Sequence, residues 1–266
     1  PENQLPIFGE IGMFSGIQET DWSWAPLFAD YDNDGWNDLL ITNGFPKDVT
    51  DRDFGDFRIT ASRLVSKQTL IEAIPEIKIP NFIFKNLEGK GFEDVTKDWG
   101  LNFGTFSNGA AYGDLDNDGD LDLIINNIND PVLLMENHSN ELHPNQNYLR
   151  IKLTGDKQNL EAIGSTVITY YNNKQQRHTL LSGRGYLSQP EKTFHLGLGK
   201  IKKVDSLKII WPNGKTQIEI NPTVNNLNNY AYRPSNVNSF KNNSALFSTA
   251  SKNLGLNFLS KDNDFI

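Results

Sequence analysis

The chain has 266 residues, 37% of them hydrophobic and 11% aromatic, enough apolar material for one or two cores. It contains no cysteine, which excludes disulfides, thiol nucleophiles and thiolate metal sites. The net charge of -8 comes without a basic cluster of the kind nucleic acid requires, and no apolar run reaches the length of a membrane span.

Taken in order, Trp24 to Ala29 and Asp38 to Thr42 are short apolar runs that predict two strands. Between them lies Asp30-Tyr31-Asp32-Asn33-Asp34-Gly35-Trp36-Asn37-Asp38, a tight acidic loop that recurs as Asp114-Leu115-Asp116-Asn117-Asp118-Gly119-Asp120-Leu121-Asp122. The two loops hold four and five aspartates of the 33 acidic residues. Carboxylates at positions 1, 3, 5 and 9 can converge on one point, and the carbonyl of position 7 adds an oxygen. That set is hard-cation chemistry, with calcium its natural occupant. Each loop is therefore expected to hold one Ca2+, through Asp30, Asp32, Asp34, Asp38 and the Trp36 carbonyl, and through Asp114, Asp116, Asp118, Asp122 and the Asp120 carbonyl. The Asp120 side chain is expected to point away from the ion. Gly35 and Gly119 stand where the chain must turn sharply. An EF-hand is excluded, because position 12 is Ile41 in one loop and Ile125 in the other, each inside a strand-like run. A metal-free pair of Asx-type turns would leave four crowded carboxylates repelling one another.

Residues 45–80 interrupt the strand pattern. Between Asp53 and Ile74 the apolar spacing predicts one or two amphipathic helices, stopped by Pro75 and Pro80. We read this insertion as a packed cover in preference to a partner surface. Asn81 to Asn86 and Gly91 to Thr96, joined by a Gly-containing turn, predict a hairpin that completes a four-stranded antiparallel unit. A second unit follows with strands at Gly109 to Tyr112, Leu121 to Asn126 and Val132 to Asn137, its fourth strand not evident.

An internal repeat accounts for this layout. Shifting the chain by 84 residues, from Asp30 to Asp114, aligns Phe8 to Asp38 with the second unit without a gap. A third copy opens at Phe247 and stops before an acidic loop, so the chain is expected to be a section of something longer. Beyond the polar stretch 138–146, alternating runs from Tyr148 to Ile220 predict an antiparallel β-sandwich, with Trp211 buried and Gly164, Gly185 and Gly214 in turns.

The Asp-x-Asp-x-Asp-Gly-x-x-Asp loops inside repeats resemble the FG-GAP or VCBS repeat family, which implies calcium-loaded β-propeller blades. The words Thr20-Asp21-Trp22-Ser23-Trp24-Ala25 and Ser107-Asn108-Gly109-Ala110-Ala111-Tyr112 resemble one branch of it, large secreted or surface-anchored bacterial proteins similar to cartilage acidic protein. Ala162-Ile163-Gly164, Arg184-Gly185-Tyr186-Leu187-Ser188-Gln189, His195-Leu196-Gly197-Leu198-Gly199, Val204-Asp205-Ser206 and Trp211-Pro212-Asn213-Gly214 resemble, in that order, the ASPIC/UnbV domain. Two positions depart from its pattern: Asn159-Leu160 replaces an Asn-Arg pair, and Leu196 replaces a Phe. Any site that relies on that arginine is not carried over.

The expected fold is thus all-β, a partial β-propeller at 1–143 with a helical insertion at 45–80, an ASPIC/UnbV-like sandwich at 144–234, and the start of a further repeat at 240–266. Ser188, His195 and Asp205 do not make a nucleophile elbow, and most clustered carboxylates are committed to the loops, so no enzyme is expected. Arg184 and Tyr186 are the candidates for an exposed recognition pair. The expected role is calcium-dependent adhesion, or binding of a protein or glycan, at an extracellular or bacterial cell surface. The remaining blades of the parent chain are its nearest partners, and neither nucleic acid nor a transmembrane segment is involved. The alternative is an accessory or catalytic subunit of extracellular polysaccharide processing whose active site lies elsewhere.

Overall fold

The computed structural model describes residues 9–233. A short helix α1 (Gly12–Ser15) precedes β1 (Ser23–Ala29) and β2 (Asp38–Asn43), the strands on either side of the first acidic loop. Next come α2 (Arg52–Ala61), α3 (Lys67–Glu72) and the two-residue β3 (Ile79–Pro80), then β4 (Phe82–Asn86) and β5 (Phe92–Asp94). Strands β1-β2-β4-β5 form the expected four-stranded sheet, antiparallel throughout. A short β6 (Gly104–Thr105) pairs with β3. The second unit is β7 (Ser107–Gly113), β8 (Asp122–Asn127) and β9 (Leu133–Met135), a three-stranded sheet that brackets the second acidic loop.

Helices α2 and α3 form where the spacing places them, and each has a side-chain cap: Asp51 accepts from the Phe54 amide at 2.6 Å and Ser66 from the Thr69 amide at 3.1 Å. Yet α2 buries only Phe54 and Ala61, α3 buries nothing, and Phe57, Ile59, Leu64 and Ile71 stay exposed. The expectation of a packed cover is therefore corrected. Caps and local propensity are enough to wind these helices, and among the described residues no sheet face receives their apolar side.

After α4 (Ser139–Leu142) the chain enters a second β-rich part. Here β10 (Asn147–Thr154), β11 (Thr166–Tyr171), β12 (Lys174–Thr179), β13 (Phe194–Gly199), β14 (Ser206–Ile210), β15 (Thr216–Ile220) and β16 (Leu227–Ala231) sort into two sheets, β13-β10-β16 and β12-β11-β14-β15. The two sheets face one core, to which the first contributes Leu149, Ile151, Leu196 and Leu198 and the second Val167, Leu207 and Ile209. Trp211, 2% exposed, closes that core and meets the Tyr232 ring edge-on at 5.0 Å. No helix falls between 147 and 220. Strand β16 was not anticipated; it pairs in parallel with β10, and its Leu-Asn-Asn-Tyr-Ala sequence carries little alternation to read. All the sheets are open and none of the described residues closes a barrel. The third repeat copy lies outside the described residues.

The first two sheets stack. Leu27, Leu40 and Ile83 of one share a core with Ala110, Leu123 and Ile125 of the other, each large side chain contributing about 1.5 to 3 kcal/mol by burial. The repeat shift of 84 carries Leu40 onto Ile124, and Leu134 lies opposite Ile124 as Ile83 lies opposite Leu40. Leu40 and Ile83 are 0% and 2% exposed, whereas Ile124 and Leu134 are 41% and 66% exposed. The face that the first sheet covers with its neighbour is thus uncovered on the second, and exposed apolar faces of this kind associate. The isolated chain should self-associate in light scattering, and the pair Ile124→Lys and Leu134→Lys should shift it toward monomer while changing stability by about 0.5 kcal/mol or less. A wild-type chain that stays monomeric at high concentration would contradict this.

Candidate metal centre

The two acidic loops adopt the same conformation. Asn33 and Asn117 at the fourth position both have left-handed backbone, with φ of 59° and 66°, and Gly35 and Gly119 have φ of 99° and 97°, a region costly for any residue with a β-carbon. Their internal hydrogen bonds match except at one point, the Asp34 amide to Asp30 Oδ1 at 3.1 Å, which has no counterpart at Asp114. The position-1 carboxylate accepts from the position-6 amide (Gly35 to Asp30, 2.8 Å; Gly119 to Asp114, 3.1 Å), and the position-5 carboxylate from the position-7 amide (Trp36 to Asp34, 2.9 Å; Asp120 to Asp118, 3.0 Å). The position-9 carboxylate uses both oxygens. Asp38 accepts from the Tyr31 and Asn86 amides, and Asp122 from the Leu115 and Asn137 amides, so each clasps its own loop to an outer strand or its extension.

Carboxylate oxygens converge in both loops. Asp30, Asp32 and Asp38, all buried, offer oxygens within 4.8 Å of one another, and so do Asp114, Asp116 and Asp118. Asp34 and Asp122 stand outside these two sets: Asp34 faces Lys85 at 3.3 Å, and Asp122 makes the same amide clasp as Asp38 without joining its cluster. Trp36 is half-exposed, its ring against the Gly89 turn. Asp120 is buried; one oxygen accepts the Asn140 amide at 3.1 Å and the other, Oδ1, has no hydrogen-bond partner. Replacing it with alanine would therefore strand the Asn140 amide, whatever the ion requires.

The electrostatics follow from crowding in a dry place. Burial first, then Asp38, Asp32 and Asp34, raise the Asp30 carboxyl well above its usual value. Burial also raises Asp38 and Asp120 to about 7, and it raises Asp114 against the opposing pull of Arg150. Two basic side chains partly offset this charge: Lys85 pairs with Asp32, and Arg150 with Asp114. Burial opposes the Lys85 ammonium, but Asp32 and Asp34 outweigh it and raise its pKa. The buried Asp114 Oδ1 has no donor either. Oxygen-only ligand sets with unpartnered buried oxygens fit a hard divalent cation.

The loops also sit against each other and against the second β-rich part. Asn33 donates to the Gly119 carbonyl at 3.1 Å, and Asn137 bridges the Tyr31 and Leu121 carbonyls at 2.7 and 3.1 Å. The Gly199 amide donates to the Asn33 carbonyl at 2.9 Å, and Gln176 spans the Gly35 and Gly197 carbonyls at 3.3 and 3.0 Å. A β-carbon at Gly197 would collide with the Asp30 carboxylate. His195 Nε2 meets Asn33 Oδ1 at 2.7 Å; because the Asn33 amide nitrogen is already donating, His195 donates here. Burial, with Arg150 and His178 nearby, lowers His195 to about 3, so it is neutral. These second-layer partners were missed in the sequence. The only sign of them was the asparagine shared by both loops at the fourth position.

The remaining candidates lie apart from the loops. The Tyr186 ring tilts against Trp24 at 4.7 Å, while Arg184 reaches the Thr179 carbonyl at 3.4 Å. Ser188 donates to the Tyr186 carbonyl at 2.6 Å and is not paired with His195.

Residues 155–233 match the family model described as ASPIC and UnbV, so the second β-rich part carries a domain of that kind. The chain is also similar to cartilage acidic protein 1 of Xenopus tropicalis, with 33% identity over 109 residues, which is 40% of this chain and 16% of that relative.

Because burial raises the Asp38 carboxyl to about 7 while a cation requires its ionised form, binding should release protons near neutral pH. With calcium as probe, affinity should fall as pH drops from about 7.5 to 6, and the calorimetric enthalpy should depend on the buffer's ionisation heat. Affinity that stays flat across that window would show the carboxylates to be already ionised.

Proposed function

We propose that this chain is part of a calcium-binding secreted or cell-surface protein, of bacterial outer-surface type, that works without catalysis as an adhesion module or a binder of protein or glycan. In this reading the two stacked sheets are FG-GAP/VCBS blades of a β-propeller continued by other parts of the parent protein, and the ASPIC/UnbV-type sandwich seats on their loop side. One observation carries it: two acidic loops of matching backbone, each with converging carboxylates, lie against each other and against the second β-rich part. A cation there would be structural, holding the loops so that the flanking faces keep their shape.

Calcium suits an all-oxygen cage of irregular geometry better than magnesium, whose octahedral demand is strict. Extracellular calcium modules bind in the range of roughly 0.1 to 1 mM, which matches a compartment where the ion is abundant. Among the described residues no helix is long and apolar enough to cross a membrane, and the named relative's association with cartilage supports the extracellular reading. Ser188 and His195, which with Asp205 suggested nucleophilic chemistry, are each engaged elsewhere.

Calcium should raise the melting temperature and chelator should lower it, the folded state gaining about 2.7 kcal/mol of stability per site at a hundredfold excess over the dissociation constant, with magnesium a weaker substitute. Incubation of the calcium-loaded parent protein with a glycan panel should give retention without release of reducing ends. Melting that ignores calcium would remove the cation from the proposal, and reducing-end release would replace the binder with an enzyme.

A further inference from the structure

The two loops orient their first carboxylate by different means. In the first loop Asp30 is held from within: Oδ1 accepts the Asp34 amide at 3.1 Å and Oδ2 the Gly35 amide at 2.8 Å. Its basic neighbour Lys85 comes from β4 of the same sheet and pairs with Asp32 and Asp34 instead. In the second loop Asp114 Oδ2 takes the Gly119 amide and also Arg150 Nη1, which arrives from β10 of the sandwich, while Oδ1 has no donor. Arg150 is 4% exposed and is held on its far side by Glu191 at 2.7 Å. Glu191 is in turn fixed by the Thr193 hydroxyl at 2.8 Å, and its amide donates to the Tyr112 carbonyl of β7 at 3.2 Å.

We propose that Arg150 is a positioning residue for the cation of the second loop: reaching in from the sandwich, it fixes Asp114 by one oxygen and leaves the other facing the ligand set. The inference rests on the calcium reading above. Outer-layer partners of this kind orient a ligand and set its basicity. The guanidinium adds little net repulsion toward the ion because Glu191 cancels its charge. Full cation affinity in the second loop therefore requires the docked sandwich, whereas on the first loop the sandwich bonds Asn33 and the Gly35 carbonyl and, among the described residues, makes no hydrogen bond to a ligand carboxylate. By linkage, an ion in the second loop strengthens the seating of the sandwich by the same factor.

The effect of removing Arg150 has opposite signs in the two accounts. If the arginine were only a competing positive charge, its loss would tighten calcium binding; as a positioning group, its loss weakens it. The full chain carrying Asp32→Asn, which silences the first loop, isolates the second for calorimetric titration with calcium. In that background Arg150→Gln should weaken binding about tenfold or more, and Glu191→Gln, at a part-exposed side chain, should weaken it several-fold. In the reciprocal Asp116→Asn background both substitutions should leave the first loop's affinity unchanged. Equal or tighter binding at the second loop in the Glu191→Gln chain overturns the proposal even if the Arg150→Gln chain does not fold. No binding in the Asp32→Asn chain before any further change would instead overturn the calcium reading itself, and this inference with it.

Discussion

Carboxylates brought together out of water repel one another, and the whole molecule is arranged around meeting that cost at two points. Each loop has three oxygens within 4.8 Å, and in a medium of low effective dielectric such charges cannot all persist without compensation. The compensation comes in layers. Backbone amides of the loop turn inward, the position-9 aspartate spans to an outer strand or its extension, and Lys85 and Arg150 supply positive charge. Those layers leave the Asp114 and Asp120 oxygens bare, and the carboxylate clusters could hold a metal ion.

This places the polar centre of the molecule at its seam. The apolar clusters divide on either side of it: the sandwich has its own core around Trp211, and the stacked sheets have theirs around Leu40 and Ile125. Between the two lie asparagines, a neutral histidine, a buried arginine and glycines whose missing side chains let the backbones approach. Burial of apolar area would hold each part together under most conditions. The seam depends on ion pairs and hydrogen bonds whose net contribution changes with charge state, because desolvation nearly offsets attraction there. A cation in the loops would therefore act on how the parts sit and leave either core undisturbed.

The stacked sheets present the opposite case, where apolar surface is left over. The repeat makes the two sheets near copies, yet only one has its Leu40-type face covered. Among the described residues the helical insertion does not supply a cover, since Phe57, Ile59 and Leu64 are exposed. Neither surface is covered among the described residues.

The acidic loops, their glycines and their flanking strands were legible from the sequence because they depend on local chemistry: residue spacing sets which carboxylates can converge, and a turn at Gly35 or Gly119 needs only its neighbours. The strand alternation of the second β-rich part was legible for the same reason, as were the capped helices. Tertiary structure alone decided the rest. That Arg150, Gln176 and His195 reach loops lying more than 30 residues away in the chain depends on how one core docks against another, and no periodicity records that docking. Strand β16 joined a sheet in parallel on weak alternation of its own, recruited by the exposed edge of β10. The helices wound as their sequence directs and found no face to cover, because whether an apolar stripe is buried is settled by what stands opposite it, and that is a property of the assembled fold.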